Sequence, residues 1–253
     1  MEVHHHPHAA KKNFKEYFLE FLMIFLAVTL GFFAENLREH SAGKQKENEY
    51  VKSIILDLNT DSSNLNYIIY TYFPQLNRWV DSCVDMLESP IGNYNDRLMY
   101  QAIENATLWR HFYPNQRTLT QLKNSGNFIL ISNEEAVKGI LNYDNRLSSF
   151  TYLNNNLTTY EHDIDTTQLR FTDYRLVRKL FNQQSNKTFD FFALNNIPAD
   201  ALLKGFNIEN RQLFSNKLKQ MNIEHNIMLG QYQSLYKESI ELIHLLKKEY
   251  RNK

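Results

Sequence analysis

The chain has 253 residues, with 28 basic and 28 acidic side chains and a pI of about 7.1. This balance excludes a global field that would draw the whole protein to nucleic acid or to anionic lipid. The 7 glycines and 5 prolines are few for this length and favour long helices over a turn-rich β fold. The single cysteine, Cys83, excludes an intrachain disulfide framework and a cysteine-based zinc cluster, and its apolar neighbours indicate a buried thiol.

A histidine-rich tail occupies residues 1–13. Four histidines in five positions can bind Zn²⁺, Cu²⁺ or Ni²⁺ through neutral imidazoles. No cysteine or aspartate accompanies them in the tail, so a flexible tail that holds no metal is the favoured interpretation. The candidate ligands are His4, His5, His6 and His8.

An apolar segment, residues 18–34, follows the tail. At about 1.5 Å per residue its helix reaches roughly 25 Å, close to the ~30 Å of a bilayer core. A core helix of a soluble protein would show a polar face, whereas Thr29 is the one polar residue between Phe21 and Ala34. A cleaved signal peptide is the other alternative, but small residues such as Thr29 and Gly31 lie inside the apolar run itself. We therefore predict an uncleaved membrane-spanning helix over residues 14–38.

A family resemblance rests on the start MEVHHHPH, a short lysine-containing spacer, and FKEYFLEFLMIFLAVTLGFFAENLREH. Over residues 1–40 this pattern resembles an uncharacterised family of membrane-anchored proteins from Bacteroidota. Farther on, LKNSGNFILISN (residues 122–133) is similar to a helix-turn-helix connector in that family's wider kin. The resemblance implies an inner-membrane anchor and a helical domain, and it brings no catalytic residue.

Two features of the predicted span bear on assembly. Ala27 and Gly31 form a small-xxx-small pair that allows two membrane helices to approach closely, although such pairs also occur by chance. Glu20 is an acid near the membrane boundary, where a carboxylate prefers water, a partner or a protein interior. We favour a carboxylate that reaches the interface over one that lines the pore of an oligomer, because Glu20 lies near the edge of the span.

The numbers of basic residues on the two sides of the apolar segment are nearly equal, so they hardly favour either orientation. Three lysines precede that segment, and Arg38, Lys44, Lys46 and Lys52 follow it. Charge counting is weak for long domains, which translocate largely regardless of charge. We predict a single-pass protein of the bacterial inner membrane, with the short tail in the cytoplasm and the large domain in the periplasm.

Residues 39–50 are predicted to be a juxtamembrane connector and residues 51–253 a soluble helical domain, because apolar residues recur there at helical spacing. Ser41–Gly43 allows the membrane helix either to continue or to bend away, and Pro74 predicts a kink or an end. The predicted helices cover residues 44–73, 75–88, 96–112, 118–123, 134–181 and 209–250, with a capping box at residues 132–135 and a possible bend at residues 154–156.

The last predicted helix carries an apolar stripe in alternating steps of four and three residues, which is typical of a heptad seam. His225 and Ser239 are polar positions in that seam. They are either register-setting or pH-sensing residues, or packed polar residues bonded to a neighbour, and we favour the second interpretation. The stripe comprises Phe214, Leu218, Met221, His225, Met228, Tyr232, Leu235, Ser239, Leu242 and Leu246.

The common catalytic and nucleotide-binding motifs are missing, including GxxxxGK[ST], GxGxxG, HExxH and GxSxG. The densest acidic–imidazole group is Glu161, His162, Asp163 and Asp165, which we interpret as a solvated helix face. Trp109, His111, Phe112 and Tyr113 form an aromatic group before Pro114, which we interpret as a packed corner of a bundle.

The predicted fold is mainly α, with one N-terminal transmembrane helix followed by an antiparallel bundle of long helices that has coiled-coil character. The predicted function is a non-enzymatic, membrane-anchored scaffold, adaptor or sensory module. Its expected partners are the lipid bilayer and a second copy or another membrane protein, with no nucleic acid and no required cofactor. Two alternatives stay open: an ion-conducting assembly that uses Glu20, and a metal-handling protein that uses the histidine tail.

Overall fold

The computed structural model describes residues 13–90, 93–94, 96–175, 178 and 203–250. It confirms a mainly α protein that is 86% helical, with no strand in the part of the chain that is described. The chain divides into two units, Met1–Tyr50 and Val51–Lys253. The predicted metal ligands of the tail, His4, His5, His6 and His8, lie outside the described residues.

The helices follow one another with short connections. In chain order they are α1 (Phe14–Tyr67), a π-helical segment (Ile68–Tyr72), α2 (Phe73–Glu88), α3 (Asp96–Ala106), α4 (Arg117–Ser125), a 3₁₀ turn (Asn127–Leu130), α5 (Glu134–Gln168) and α6 (Ile208–Tyr250). An isolated antiparallel bridge joins Thr172 and Leu203.

In the first unit, α1 carries the apolar segment. Its most apolar 18-residue window has a mean hydropathy of 2.1, and none of that window is buried. By length and composition the helix can cross a membrane. Thr29 does not break the apolar surface, because its Oγ1 donates to the Phe25 carbonyl at 2.7 Å. The helix continues through Ser41–Gly43, which is the first of the two alternatives that the sequence left open.

In the second unit, α5 and α6 pack antiparallel. Asn133 Nδ2, at the start of α5, donates to Glu249 at 2.8 Å near the end of α6. Farther along, Arg146 pairs with Glu238 at 2.8 Å, so residue numbers rise on one helix as they fall on the other. The predicted stripe on α6 is confirmed as a buried face, since all of its members are buried: Phe214, Leu218, Met221, His225, Met228, Tyr232, Leu235, Ser239, Leu242 and Leu246.

Helix α2 also packs antiparallel on α6. Phe73, at its start, meets the Tyr232 ring with a centroid distance of 5.6 Å. At the end of α2, Glu88 accepts a hydrogen bond from Ser215 Oγ of α6 at 2.8 Å. Cys83 lies in the core between these ends, which confirms the prediction of a buried thiol.

Proline accounts for the break between α1 and α2. Pro74 lies in the first turn of α2, and the segment just before it is a π-helix in which the Phe73 N–H donates to the Ile68 carbonyl. A proline lacks the N–H and crowds the carbonyl four residues earlier, which favours the wider π turn. The predicted kink or end at Pro74 is therefore a change of helix type.

Three predicted boundaries are wrong. Helix α3 ends at Ala106 and not at residue 112, because Thr107 Oγ1 bonds the Ile103 carbonyl at 2.9 Å and the chain then leaves helical geometry. Helix α5 ends at Gln168 and not at residue 181. Its N-cap is Asn133 and not Ser132, since the Asn133 side chain accepts the Ala136 N–H at 2.8 Å.

Two alanine substitutions on α6, one at a buried and one at an exposed position, test the buried face. Leu235→Ala is expected to cost about 2–5 kcal/mol in the free energy of unfolding, because the side chain is fully buried and leaves a cavity. Ile227→Ala is the control, since that side chain is 58% exposed, and is expected to cost less than about 0.5 kcal/mol. Urea unfolding of the full chain in mild detergent, followed by tryptophan fluorescence, gives both values. Equal costs would contradict the packing described for α6.

Candidate functional site

A non-helical segment, residues 107–116, joins α3 to α4 across the second unit, and we call it the strap. Its one buried residue, Phe112, packs against the rings of Phe150 and Tyr232, with centroid distances of 5.6 and 6.5 Å. The next residue, Tyr113, is 74% exposed. Pro114 disfavours helix at the residue before it, which helps to keep this segment extended. The strap therefore depends mainly on polar contacts to stay in place.

The His111 side chain of the strap contacts a buried carboxylate, Glu161 of α5, which is 4% exposed. Its Oε2 lies 2.8 Å from His111 Nε2 of the strap. Its Oε1 lies 3.1 Å from His225 Nε2 of α6, which is also 4% exposed. On the other side of the His111 ring, Nδ1 lies 3.2 Å from Asn154 Oδ1 of α5. We call these four residues the Glu161 centre, and it joins three segments of the chain.

The geometry shows which ring nitrogens can donate to an oxygen. Both ring nitrogens of His111 face oxygen atoms, so both can carry a proton and the ring can be a cation. His225 has an acceptor only at Nε2, while its buried Nδ1 has no hydrogen-bond partner among the described residues. When His111 is protonated, its positive charge compensates the Glu161 carboxylate.

The pKa directions agree with a protonated His111. The hydrogen bond to Glu161, together with the attraction of its charge, raises the pKa of His111 above its ordinary value and outweighs partial burial. Burial alone would raise the pKa of Glu161, but the hydrogen bonds from His111 and His225 outweigh it and lower that pKa. Both shifts favour the ion pair near neutral pH.

An aromatic wall surrounds His225. Its ring lies 5.3 Å from the Trp109 ring and 5.9 Å from the Phe73 ring. Trp109 Nε1 in turn donates to Asp165 Oδ1 at 3.1 Å, which adds a second bond between the strap and α5. Apolar rings around an ion pair exclude water and strengthen its electrostatic attraction.

The far end of the strap is held by two carboxylates of α1 within the second unit. Asp61 Oδ1 accepts the Asn115 N–H at 2.9 Å, and Asp57 Oδ1 accepts from Asn115 Nδ2 at 2.7 Å. Asp57 Oδ2 also accepts a hydrogen bond from the Thr118 N–H at 3.2 Å. Thr118 lies in the first turn of α4, where the helix dipole stabilises a carboxylate. Burial raises the pKa of Asp61 to about 6.

The sequence-based interpretation of residues 161–165 is wrong for Glu161, which is buried, while His162 is exposed as expected. The aromatic group at residues 109–113 is part of the strap. The link between His111, Glu161 and His225 was missed. A signal was present, because Asn154 and Glu161 occupy seam positions of α5 in the alternating series Leu147, Phe150, Asn154, Leu157, Glu161 and Ile164.

The other predicted site residues are not members of this centre. Ser239 is buried and its Oγ donates to the Tyr236 carbonyl at 2.7 Å. In the first unit Glu20 is partly exposed, and Ala27 and Gly31 are exposed. A Cβ added at Gly31 would meet nothing within 4 Å, so the chain itself leaves this position open. Across the described ranges, no group of three or more histidine, cysteine or acidic side chains is arranged to hold a metal ion.

No protein-family model matches this chain, and no curated protein or solved structure matches it either.

Two substitutions of an acid by its amide on α5 test the Glu161 centre. Glu161→Gln is expected to cost about 2–3 kcal/mol in the free energy of unfolding at neutral pH, because the amide keeps the shape but removes the buried ion pair. Asp163→Asn is the control two residues away, where the pair with Lys217 lies partly in solvent, and its expected cost is below about 1 kcal/mol. Urea unfolding measures both variants. A Glu161→Gln protein as stable as the control would contradict the importance of the ion pair.

Proposed function

We propose that this protein is a membrane-anchored, non-enzymatic helical module that works as a scaffold, adaptor or sensor. One observation carries the proposal: no residue in the most apolar window of α1 is buried among the residues that the structure describes. An apolar surface of that length needs a partner outside the chain, and a bilayer supplies one. The module would therefore be held at a membrane surface.

The second unit supports the role of an adaptor or sensor. The polar groups of the Glu161 centre bond to one another and join the strap, α5 and α6. Such a network fixes the relative position of three segments. A ligand or partner that binds one segment better in one arrangement would shift the whole network, which is how a helical module transmits a signal.

We further propose that the protein is a single-pass protein of the bacterial inner membrane, with the second unit in the periplasm. Short N-terminal tails commonly remain in the cytoplasm, which supports this orientation. Self-association through the span would use the open Ala27 and Gly31 positions, which allow close approach of a second helix.

Arginine substitutions test the anchor. The double variant Ile24→Arg, Val28→Arg places two charges in the middle of the apolar window, each costing about 2.5–3.5 kcal/mol in a membrane helix. We expect this variant to leave the membrane fraction after alkaline carbonate extraction, while the parent protein stays. The control is Leu56→Arg, Thr60→Arg, which adds the same charge at exposed positions of the second unit and should stay in the membrane.

A labelling experiment on intact cells tests the orientation of the second unit. In a Cys83→Ser background, Lys253→Cys supplies a single thiol at the end of the second unit. A membrane-impermeant maleimide, added after the outer membrane alone is permeabilised, should label it. Labelling only after lysis would overturn the periplasmic assignment. Release of the parent protein from the membrane by alkaline carbonate would overturn the proposed anchor.

A further inference from the structure

We propose that the strap is a pH-responsive latch, which a protonated His111 holds closed on α5 and which opens as the pH rises. The inference concerns the second unit alone and goes beyond the anchoring function. It begins with how little apolar packing holds the strap. Phe112 is buried, whereas Leu108 is 46% exposed and Tyr113 is 74% exposed. Besides the packing of Phe112 and Trp109, closure depends on the polar contacts at each end.

The charged and titratable groups around Glu161 come from every segment packed against it. The strap supplies His111, and α5 supplies Asp165. Helix α6 supplies His225 and Tyr232, and the π segment supplies Tyr72. The Arg110 guanidinium lies over the Tyr67 ring at 5.1 Å, and Tyr72 Oη donates to the Leu108 carbonyl at 2.5 Å. His111 is the cation in direct contact with the carboxylate.

Loss of a proton from His111 removes two interactions at once. The neutral ring keeps one N–H, so one of its two nitrogens presents a lone pair to an oxygen of Glu161 or Asn154. The Glu161 carboxylate also loses its counter-ion while it stays buried. A buried charge without a partner is unfavourable, and opening of the strap gives water access to it.

The direction of the pH response follows from the shifts. The pKa of His111 is raised in the folded protein, so its contribution is complete below about 6.5 and is lost as the pH rises through the folded value. At the far end, burial raises the pKa of Asp61 to about 6, while the hydrogen bond from the Asn115 N–H lowers it, so that contact favours the charged carboxylate. The pH response therefore comes from the His111 end, which holds the strap most tightly at mildly acidic pH.

Trp109 reports the state of the strap directly. It lies in the strap, and Trp79→Phe leaves it as the single tryptophan. Acrylamide quenching of the full chain in mild detergent is followed from about pH 5.5 to about pH 9. We expect the quenching constant to rise about twofold or more, with a midpoint above 6.5, as the indole becomes exposed. A flat profile would overturn the proposal.

Substitutions identify the titrating group. His111→Gln can still donate to Glu161 but cannot titrate, so its profile should lose the step. His162→Gln is the matched control on the exposed neighbour of Glu161 and should keep the parent profile. A step that persists in His111→Gln would overturn the proposal. Circular dichroism checks that each variant keeps its helical content.

A second pair decides the question even if His111→Gln does not fold. Asn154→Ala removes the acceptor at His111 Nδ1 and should move the midpoint to lower pH. Asn154→Asp replaces that acceptor with a charged one and should move the midpoint to higher pH. Midpoints that do not move in these opposite directions would show that another group controls the strap.

Discussion

A buried carboxylate has to find both hydrogen bonds and a compensating charge, and the second unit depends on how Glu161 meets this requirement. Desolvation alone would leave the group protonated, yet two imidazole nitrogens at 2.8 and 3.1 Å favour its charged form. The donors come from the strap and from α6, while Glu161 belongs to α5. One side chain therefore fixes three segments, and each segment has to be in place for the carboxylate to be satisfied.

The apolar stripes and the polar centre have different roles in the packing of α5 on α6. The stripes supply most of the buried area, but heptad-spaced apolar faces can also pair after a slide of seven residues. Such a slide would bring Leu218 or Tyr232 to the position of His225 and leave the Glu161 carboxylate against an apolar or phenolic surface. The cost of an unpaired buried charge disfavours those registers. Polar positions in the seam thus select one alignment of the two helices.

The helical fold was predictable because apolar periodicity is a local property of the sequence. The buried face of α6, an interruption of the helix near Pro74 and the apolar window of α1 all follow from residue types and spacing within one segment. The strap was not predictable in this way. Trp109 and His111 continue the helical pattern of α3, whereas Pro114 and the polar bonds that the strap makes to distant segments favour its extended path.

The Glu161 centre shows the same limit at the level of a site. His111, Glu161 and His225 are separated by 50 and 64 residues, so no local motif joins them. Each helix does show polar residues within its apolar seam, Asn154 and Glu161 in α5 and His225 in α6. Pairing them required the antiparallel alignment of the two helices, which the structure supplies.

A double-mutant cycle between His111 and Glu161 tests the central claim most directly. The free energy of unfolding would be measured at about pH 6 for the parent, His111→Gln, Glu161→Gln and the double variant, all as full chains in detergent. The account predicts a coupling energy of about 1.5–3 kcal/mol, because the two charges compensate one another in a buried place. Costs that simply add, with a coupling below about 0.5 kcal/mol, would show that the carboxylate does not depend on the strap and would contradict the account.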